Sequence, residues 1–418
     1  MSNLQNQPII NIGCLGSVSD GKSSMVSTFT GINTQKHSSE KIRNITVKQG
    51  YGNMKVWQHD DKYFTTNSQQ TEYLHDGIEY ELKNHISFVD CPGHQELIGV
   101  MLSSIALMDG VIIVISVDKA PHEKPQLLQH LAAVVLGKFD KIIICLNKID
   151  LVTKDVVLQR KEELDIMLEQ YGICPFAVIP TCFNKKIGLN YLTKAIMELF
   201  NPSEFENKKS TIPYFHISRS FDINKPGTNW ANLKGGVIGG SLSSGKFAKN
   251  DVIEIRPGIL VGKTPKISCK PIHTNISTIK TDTTEIDEVQ PGGLVGIGTD
   301  IDPLYCKDNY LTGNIAGLVG TLPSVFMEIT VDINKVELFG FTWDPKVKDQ
   351  VEIQIGTHMA NSVSVQKIKK KTITFLFVSP VCIPDNQHIV ICRTINGILK
   401  IVAEGYIQYK SNPKPLLV

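Results

Sequence analysis

Three short stretches of the chain carry residue types spaced for phosphate and base chemistry. The first, Gly16-Ser-Val-Ser-Asp-Gly-Lys-Ser23, fits G-x-x-x-x-G-K-[ST] and lies between an apolar run ending at Leu15 and a helical pattern from Ser23. Gly16 and Gly21 let the backbone curl so that N–H groups of Ser19, Asp20, Gly21, Lys22, Ser23 and Ser24, at a helix N-terminus, face an anion. Lys22 supplies a point charge to β/γ-phosphate oxygens, and the Ser23 hydroxyl is placed to ligate Mg²⁺. A glycine turn matching by chance is the bland alternative; the strand-loop-helix setting argues against it.

The second stretch, Asn147-Lys-Ile-Asp150, follows the apolar run from Lys141 to Leu146 and reads a base. The Asp150 carboxylate can accept from the adjacent N1–H and N2–H₂ donors of guanine, a pair that adenine lacks, while Asn147 meets the other edge and braces the phosphate loop. The Lys148 stem can lie across the base plane. The third, Phe88-Val-Asp-Cys-Pro-Gly93, sits between the other two. Asp90 at a buried strand end can hold the Mg²⁺ water shell, and Pro92-Gly93 presents a glycine N–H to the γ-phosphate. Upstream, Arg43-Asn-Ile-Thr46 offers Thr46 as a second Mg²⁺ hydroxyl in a loop that orders only with the γ-phosphate. Standing alone, Thr46 reads as an ordinary strand-start threonine.

Such residues need a parallel sheet to hold them. Strands are expected over 9–15, 86–89, 111–116, 141–146 and 176–179. Helices are expected over 23–29, 95–107, 125–136, 156–171 and 189–200, with apolar residues recurring at three and four. The polar run from Asn201 to Ser210 reads as a linker, and from Tyr214 onward short alternating strands separated by glycine turns predict two small β-barrels joined near Gly320-Thr-Leu-Pro323. The expected division is a GTPase-type α/β domain over 1–205 and all-β barrels over 206–322 and 323–418. A chain of 418 residues is long enough for about three domains at roughly 150 residues each.

With 43 basic and 41 acidic residues the net charge is +2, which excludes a uniformly basic nucleic-acid coat. Nine cysteines without a C-x-x-C pair, together with a polar N-terminus and no long apolar run, read as a reducing, cytoplasmic setting with no membrane partner.

Taken together, these residues resemble the translational GTPases and, within them, the gamma subunit of eukaryotic and archaeal translation initiation factor 2. Further runs carry the resemblance: Arg43 to Tyr51, Phe88 to His94, Arg219 to Gly227, Leu233 to Ser241, Ile255 to Gly258 and Pro291 to Thr299. The resemblance implies a GTPase domain followed by two barrels and GTP/GDP with Mg²⁺ as ligands. Its implied role is carriage of initiator methionyl-tRNA to the small ribosomal subunit, with GTP hydrolysed on start-site selection. Alpha and beta subunits, GTPase-activating factors and exchange factors are the implied partners, and DNA is not among them. His94 then matches the histidine that orients the attacking water, and Val18 and Ile45 match the apolar gate that holds it back. Lys22 and Thr46 join His94 in catalysis. Tyr51 matches a tyrosine of the pocket for the aminoacylated tRNA end; a strand tyrosine with a solvated hydroxyl is held level with that. Lys367 to Lys371 reads as a solvated hairpin rather than a tRNA contact.

The chain also departs from the family. Many members carry a zinc knuckle of two C-x-x-C pairs after the switch loop, but residues 56–84 contain no cysteine, so no zinc is expected there. His59, His75 and His85 with Asp60, Asp61 and Asp76 read as a solvated loop. Ser17 and Asp20 stand where histidines are usual, Ser19 where many archaeal members have aspartate, and Gln95 where aspartate follows the histidine. Thr181-Cys-Phe183 replaces the usual Ser-Ala reader of the guanine carbonyl. Asp20 must point away from the phosphates or engage a cation. The altered phosphate loop and lost zinc knuckle motivate one alternative, a GTP-binding regulatory or decoy subunit without tRNA delivery; another, an elongator or selenocysteine-type tRNA carrier, keeps the chemistry and changes the cargo.

Overall fold

The computed structural model describes residues 2–34, 50–94, 97–202, 212–262, 267–335 and 343–409. The chain divides into two compact units, residues 1–207 and 208–418.

The first unit is built on one sheet. Strands β1 (Ile10–Leu15), β2 (Gly50–His59), β3 (Lys62–Asn67), β4 (Tyr73–His75), β5 (Ile78–Asp90), β6 (Gly110–Ser116), β7 (Ile142–Asn147) and β8 (Ala177–Pro180) follow in chain order. Their spatial order is β3-β2-β5-β1-β6-β7-β8, with β4 paired to β5. Along the order β5-β1-β6-β7-β8 all pairings are parallel, and β1, β6 and β7 are nearly continuous apolar, fully buried runs, as sheets covered on both faces require. Helix α1 (Ser2–Asn6) precedes β1; α2 (Lys22–Thr30), α3 (Ile98–Ile105), α4 (Pro125–Leu136) and α5 (Lys154–Gln170) fall between strands in the chain, and α6 (Leu189–Leu199) follows β8. Helix α4 starts on a proline, whose missing N–H is one of the orphans of a first turn, and ends before Gly137. One core runs through β1, α2, β5, β6, β7 and α6.

Two expectations need correction here. β5 runs from Ile78, not from Ile86, and the segment read as a solvated loop is an antiparallel extension of the sheet by β2, β3 and β4. Aromatic side chains hold it: the Phe64 ring lies 5.0 Å from that of Tyr80 and 5.3 Å from that of Tyr73, and Tyr73 lies 5.4 Å from Tyr80. Burial of that cluster outweighs the polar residues that made the stretch look like loop. His85 is accordingly not solvated. It is 2% exposed, with Nδ1 2.9 Å from the Leu4 carbonyl, and burial pushes its pKa down to about 3.

The second unit holds two closed barrels of six strands each. One is formed by Tyr214–Phe221, Val237–Ser244, Val252–Val261, Ser268–Thr281, Val295–Thr299 and Ile315–Leu318; the pairing of Val252–Val261 with Ser268–Thr281 closes it. The other contains Val325–Lys335, Gln350–Ile355, His358–Ile368, Thr372–Cys382, His388–Ile395 and Ile398–Ile407. Each encloses its own apolar core. Lys367–Lys371 forms an exposed hairpin tip between two strands, as the sequence suggests. Among the described residues no helix is long and apolar enough to cross a membrane.

Candidate functional site

Parallel strands deliver their carboxyl ends to one edge of the sheet, and loops leaving that edge form the usual crevice for a ligand. Here β1 delivers Gly16–Ser23, β5 delivers Asp90, β6 Ser116, β7 Asn147 and β8 Thr181.

The phosphate loop is fixed by what glycine alone permits. Gly21 has φ +105°, and a Cβ there would come 2.2 Å from Asn147 Nδ2; a Cβ on Gly16 would come 2.1 Å from the Val114 carbonyl oxygen. No side chain caps α2 at Gly21, so the curl opens onto the bare N-terminal turn of a helix, whose first N–H groups have no intrahelical acceptor. That arrangement fits a phosphate. Lys22 is 6% exposed, and its ammonium donates to the Ser17 carbonyl at 2.7 Å. Burial lowers its pKa, and Asp90 and Asp20 pull it back.

Not every N–H in the loop faces outward. Asp20 N–H donates to the Ser17 carbonyl at 3.3 Å, and Val18 N–H donates to Gln126 Oε1 at 3.3 Å. The Asp20 carboxylate, expected either to turn from the phosphates or to meet a cation, accepts from the Lys124 ammonium at 2.6 Å, from the Ser116 hydroxyl at 2.6 Å and from the Ser17 N–H at 2.9 Å.

Oxygen ligands gather beside Ser23. Its hydroxyl donates to Asp90 Oδ2 at 2.7 Å, and the Thr34 hydroxyl donates to the same oxygen at 2.6 Å. A carboxylate with hydroxyls is the donor set of a hard cation such as Mg²⁺. Thr34 is absent from the sequence reading, since a lone threonine after a helix carries no signal. Thr46, Ile45 and Gln95 lie outside the described residues.

The base end is equally knit. Asn147 Nδ2 donates to the Asp20 carbonyl at 2.8 Å, and Asn147 Oδ1 accepts from Phe183 N–H at 3.3 Å, so one side chain ties the phosphate loop to the Thr181–Phe183 turn. Lys148 takes a left-handed conformation, φ 64°, at the turn. The Cys182 thiol donates to Asp150 at 3.1 Å and Lys185 lies 3.0 Å from its other oxygen; together they hold the carboxyl below the usual range. Asp150 is thus an acceptor at neutral pH. Lys185 is a second residue that sequence reasoning missed.

Gly93 packs onto the loop. A Cβ there would come 2.6 Å from Lys22 Nζ, 2.8 Å from Val18 N and 2.9 Å from the Gly16 carbonyl oxygen, which brings the D-x-x-G glycine against the proposed gate residue Val18. His130 of α4, 3% exposed, is hydrogen-bonded to the Gly93 backbone, and burial pushes its pKa down to about 3, with Lys22 adding to that. His94 follows, its carbonyl accepting from Leu97 N–H at 3.0 Å. Tyr51 is half-buried on β2 opposite Val89. Among the described residues no three His, Cys, Asp or Glu side chains form a metal cluster.

Comparison with known proteins agrees with this geometry. Residues 7–202 match the elongation factor Tu GTP binding domain family, and residues 328–407 match the family described as initiation factor eIF2 gamma, C terminal. Over 97% of its length the chain is 34% identical to the eukaryotic translation initiation factor 2 subunit gamma of Encephalitozoon cuniculi, covering 94% of that protein. It is 35% identical to translation initiation factor 2 subunit gamma of Methanothermobacter thermautotrophicus, covering 97% of this chain and 100% of the relative. In fold it is similar to a bacterial selenocysteine-specific elongation factor, with a TM-score of 0.72 at 16% identity; that match covers 96% of this chain and 58% of the other. The elongation factor SelB of Methanococcus maripaludis, solved with a GTP analogue, gives 0.70 at 16% identity and covers 98% of this chain and 80% of the other. The chain therefore belongs to the gamma-subunit family of translation initiation factor 2 and is a translational GTPase, hydrolysing GTP to GDP and phosphate.

Proposed function

We propose that the protein is the GTP-switched carrier of initiator methionyl-tRNA to the small ribosomal subunit, working in the cytoplasm with alpha and beta subunits and hydrolysing GTP on start-site selection under activating and exchange factors. Relatives named as subunit gamma, matched over 97% of this chain, support this reading. Its domains are 1–205 for GTPase chemistry and 206–322 and 323–418 for the barrels.

In this reading the N–H groups of Ser19 and of Gly21 to Ser24 and the Lys22 ammonium take the β/γ-phosphates, the Asp20 N–H joining them only on leaving the Ser17 carbonyl, and Asp150, Asn147, Lys148 and the Thr181-Cys182-Phe183 turn take guanine. Ser23, Thr46 and, through water, Asp90 hold Mg²⁺, which when bound neutralises charge on the phosphate oxygens. Pro92-Gly93 senses the γ-phosphate, and His94 orients the attacking water once Val18 and Ile45 part. Catalysis is then positioning and electrostatics, with Lys22 stabilising charge on the transferring group. Tyr51 stacks on the terminal adenosine of the tRNA, a contact worth about 1–3 kcal/mol.

The observation that carries the reading is the continuous hydrogen-bonded path from phosphate loop to base turn through Asn147. The altered phosphate loop and the missing zinc knuckle motivate the decoy alternative; the pairing of Asp20 with Lys124 gives the loop's carboxylate a partner of its own. Filter retention of methionylated initiator tRNA tests the proposal. Retention with a non-hydrolysable GTP analogue and little with GDP is expected; tight GTP binding with no tRNA retained in either state sinks tRNA delivery.

A further inference from the structure

We infer that Lys124 is a positioning residue for nucleotide binding: its ammonium is the counter-charge that lets a carboxylate, Asp20, stand inside the phosphate loop. Asp20 is one residue from Gly21 and two from Lys22, so its carboxylate lies where nucleotide phosphates bring negative charge. Its oxygens are fully engaged away from that ligand. Oδ2 accepts from Ser17 N–H at 2.9 Å; Oδ1 accepts from Ser116 N–H at 3.2 Å, the Ser116 hydroxyl at 2.6 Å and the Lys124 ammonium at 2.6 Å.

Lys124 has three protons and three acceptors: Asp20 Oδ1, the Ser116 carbonyl at 2.6 Å and the Ser116 hydroxyl at 2.7 Å. The Ser116 hydroxyl has one proton and two carboxylates within 2.6 Å, Asp20 and Asp118, so it cannot satisfy both. Lys124, 3.7 Å from Asp118, serves the pair. Asp118 in turn lies 3.5 Å from Lys148 of the base turn. The charges therefore alternate, Asp20, Lys124, Asp118, Lys148, from the phosphate loop to the base reader.

Depth makes the first link of this chain matter. The Asp20 and Lys124 side chains are 2% and 6% exposed, and removing one partner of a buried pair strands the other charge without water to screen it. A stranded Asp20 relieves itself by turning toward Lys22, in competition with the phosphates, or by distorting the loop through its bond to Ser17 N–H. Either weakens nucleoside di- and triphosphates, and the triphosphate more because it carries more negative charge.

This rests on reading Gly16–Ser23 as the GTP cradle, and the test separates the two claims. Fluorescent GDP and GTP are titrated into the full chain and into Lys124→Met, Lys124→Arg, Asp20→Asn and the Asp20→Asn/Lys124→Met double variant, with thermal unfolding followed in parallel. Lys124→Met is expected to weaken GDP at least about tenfold and GTP further, as loss of a buried partner implies. Lys124→Arg should recover part of the loss, and the double variant most of it, because neutralising Asp20 removes the stranded charge. Normal affinity in Lys124→Met, or a folded double variant as weak as Lys124→Met, overturns the inference. Should Lys124→Met not fold, a double variant that folds and binds supports it, and one that fails equally overturns it. Absence of binding by the unsubstituted chain overturns the cradle itself.

Discussion

The nucleotide end of the first unit and the seam between the two barrels both join segments far apart in sequence, by opposite means. At the nucleotide end the joints are buried charges and hydrogen bonds: Asp20 to Lys124, Ser23 and Thr34 to Asp90, Asn147 to the phosphate loop. At the seam, Cys269, Ile315, Leu322, Val325 and Cys382 pack together with Tyr214. Thr357 donates to the Ile217 carbonyl at 3.2 Å, and Arg256, paired with Glu254 at 2.7 Å, donates to the Leu322 and Pro323 carbonyls. A cleft of about 190 Å³ remains at the seam, lined by His216, His358, Tyr310 and Asn314 among others. Apolar contacts lose free energy in small increments, whereas a directional polar joint fails as a unit. Changes at the nucleotide end should thus act steeply on binding, and changes at the seam gently on stability.

The steepest effect is expected from Gly93→Ala. The added methyl meets Val18 N and the Gly16 carbonyl oxygen, backbone atoms of the phosphate loop that cannot rotate aside. Overpacking of this kind costs about 3 kcal/mol at the upper end, so GTP and GDP affinities should fall roughly a hundredfold in titration calorimetry. Affinity within a factor of about three of the unsubstituted protein would show that the loop yields, and would break the contrast with the seam.

Asp150→Asn ranks next. Exchanging the carboxylate for an amide removes a charged acceptor from the guanine edge, worth about 2 kcal/mol or roughly thirtyfold in GTP affinity, and offers a donor that suits xanthine. Competition between GTP and xanthosine triphosphate measures it; a variant that still prefers GTP places the base elsewhere.

What could be read from sequence at the two regions follows the same division. Gly16 and Gly21 were legible because their backbone geometry admits no other residue, and Asn147 and Asp150 because they stand at the N-K-x-D spacing directly after an apolar strand. Lys124 and Lys185 were not legible. Each is an ordinary surface-type residue in the sequence, and its meaning comes only when folding brings a carboxylate to it, for Lys124 one 104 residues away. The parallel core strands declared themselves as β-branched runs, and helix 125–136 was bounded by its proline and glycine. The β2–β4 extension hid because its stability comes from cross-strand aromatic pairs, which no single strand displays. The seam was invisible, since an apolar residue facing another barrel looks like one facing its own.

Acid should act on both regions alike, which sharpens the comparison by isolating charge pairing as the difference. Burial pushes His85 and His130 in the first unit down to about 3 and His216 at the seam down to about 4. An unfolded histidine titrates near 6.5, so below that pH the unfolded chain binds more protons and stability falls until the folded pKa is passed. The stabilisation is complete well above pH ~6.5 and lost as pH drops toward about 4 and then 3; from pH 7 to 5.5 each histidine costs about 1.3 kcal/mol of stability. Urea midpoints should fall accordingly, and His85→Gln should flatten the dependence. Equal midpoints at both pH values contradict the burial of these rings.

The gentlest effect on nucleotide binding is expected from Gly313→Ala at the seam, the counterpart of Gly93→Ala. Gly313 has φ +83°, and a Cβ there would come 2.4 Å from Nδ1 and 2.7 Å from Cβ of His358. The His358 ring can turn into the bordering cleft, but its Cβ stays in place when the side chain rotates, so the backbone at His358 must give way as well. This overpacking, about 1–3 kcal/mol, adds to the left-handed backbone strain of about 1 kcal/mol for a non-glycine residue. Thermal unfolding of the second unit should shift down by several degrees or more with GTP and GDP affinities unchanged, because Gly313 belongs to the second unit and both Gly16–Ser23 and Asn147–Asp150 belong to the first. If one methyl at Gly313 lowered nucleotide affinity as strongly as one at Gly93, the seam would be a steep joint too, and the distinction between the two regions would be lost.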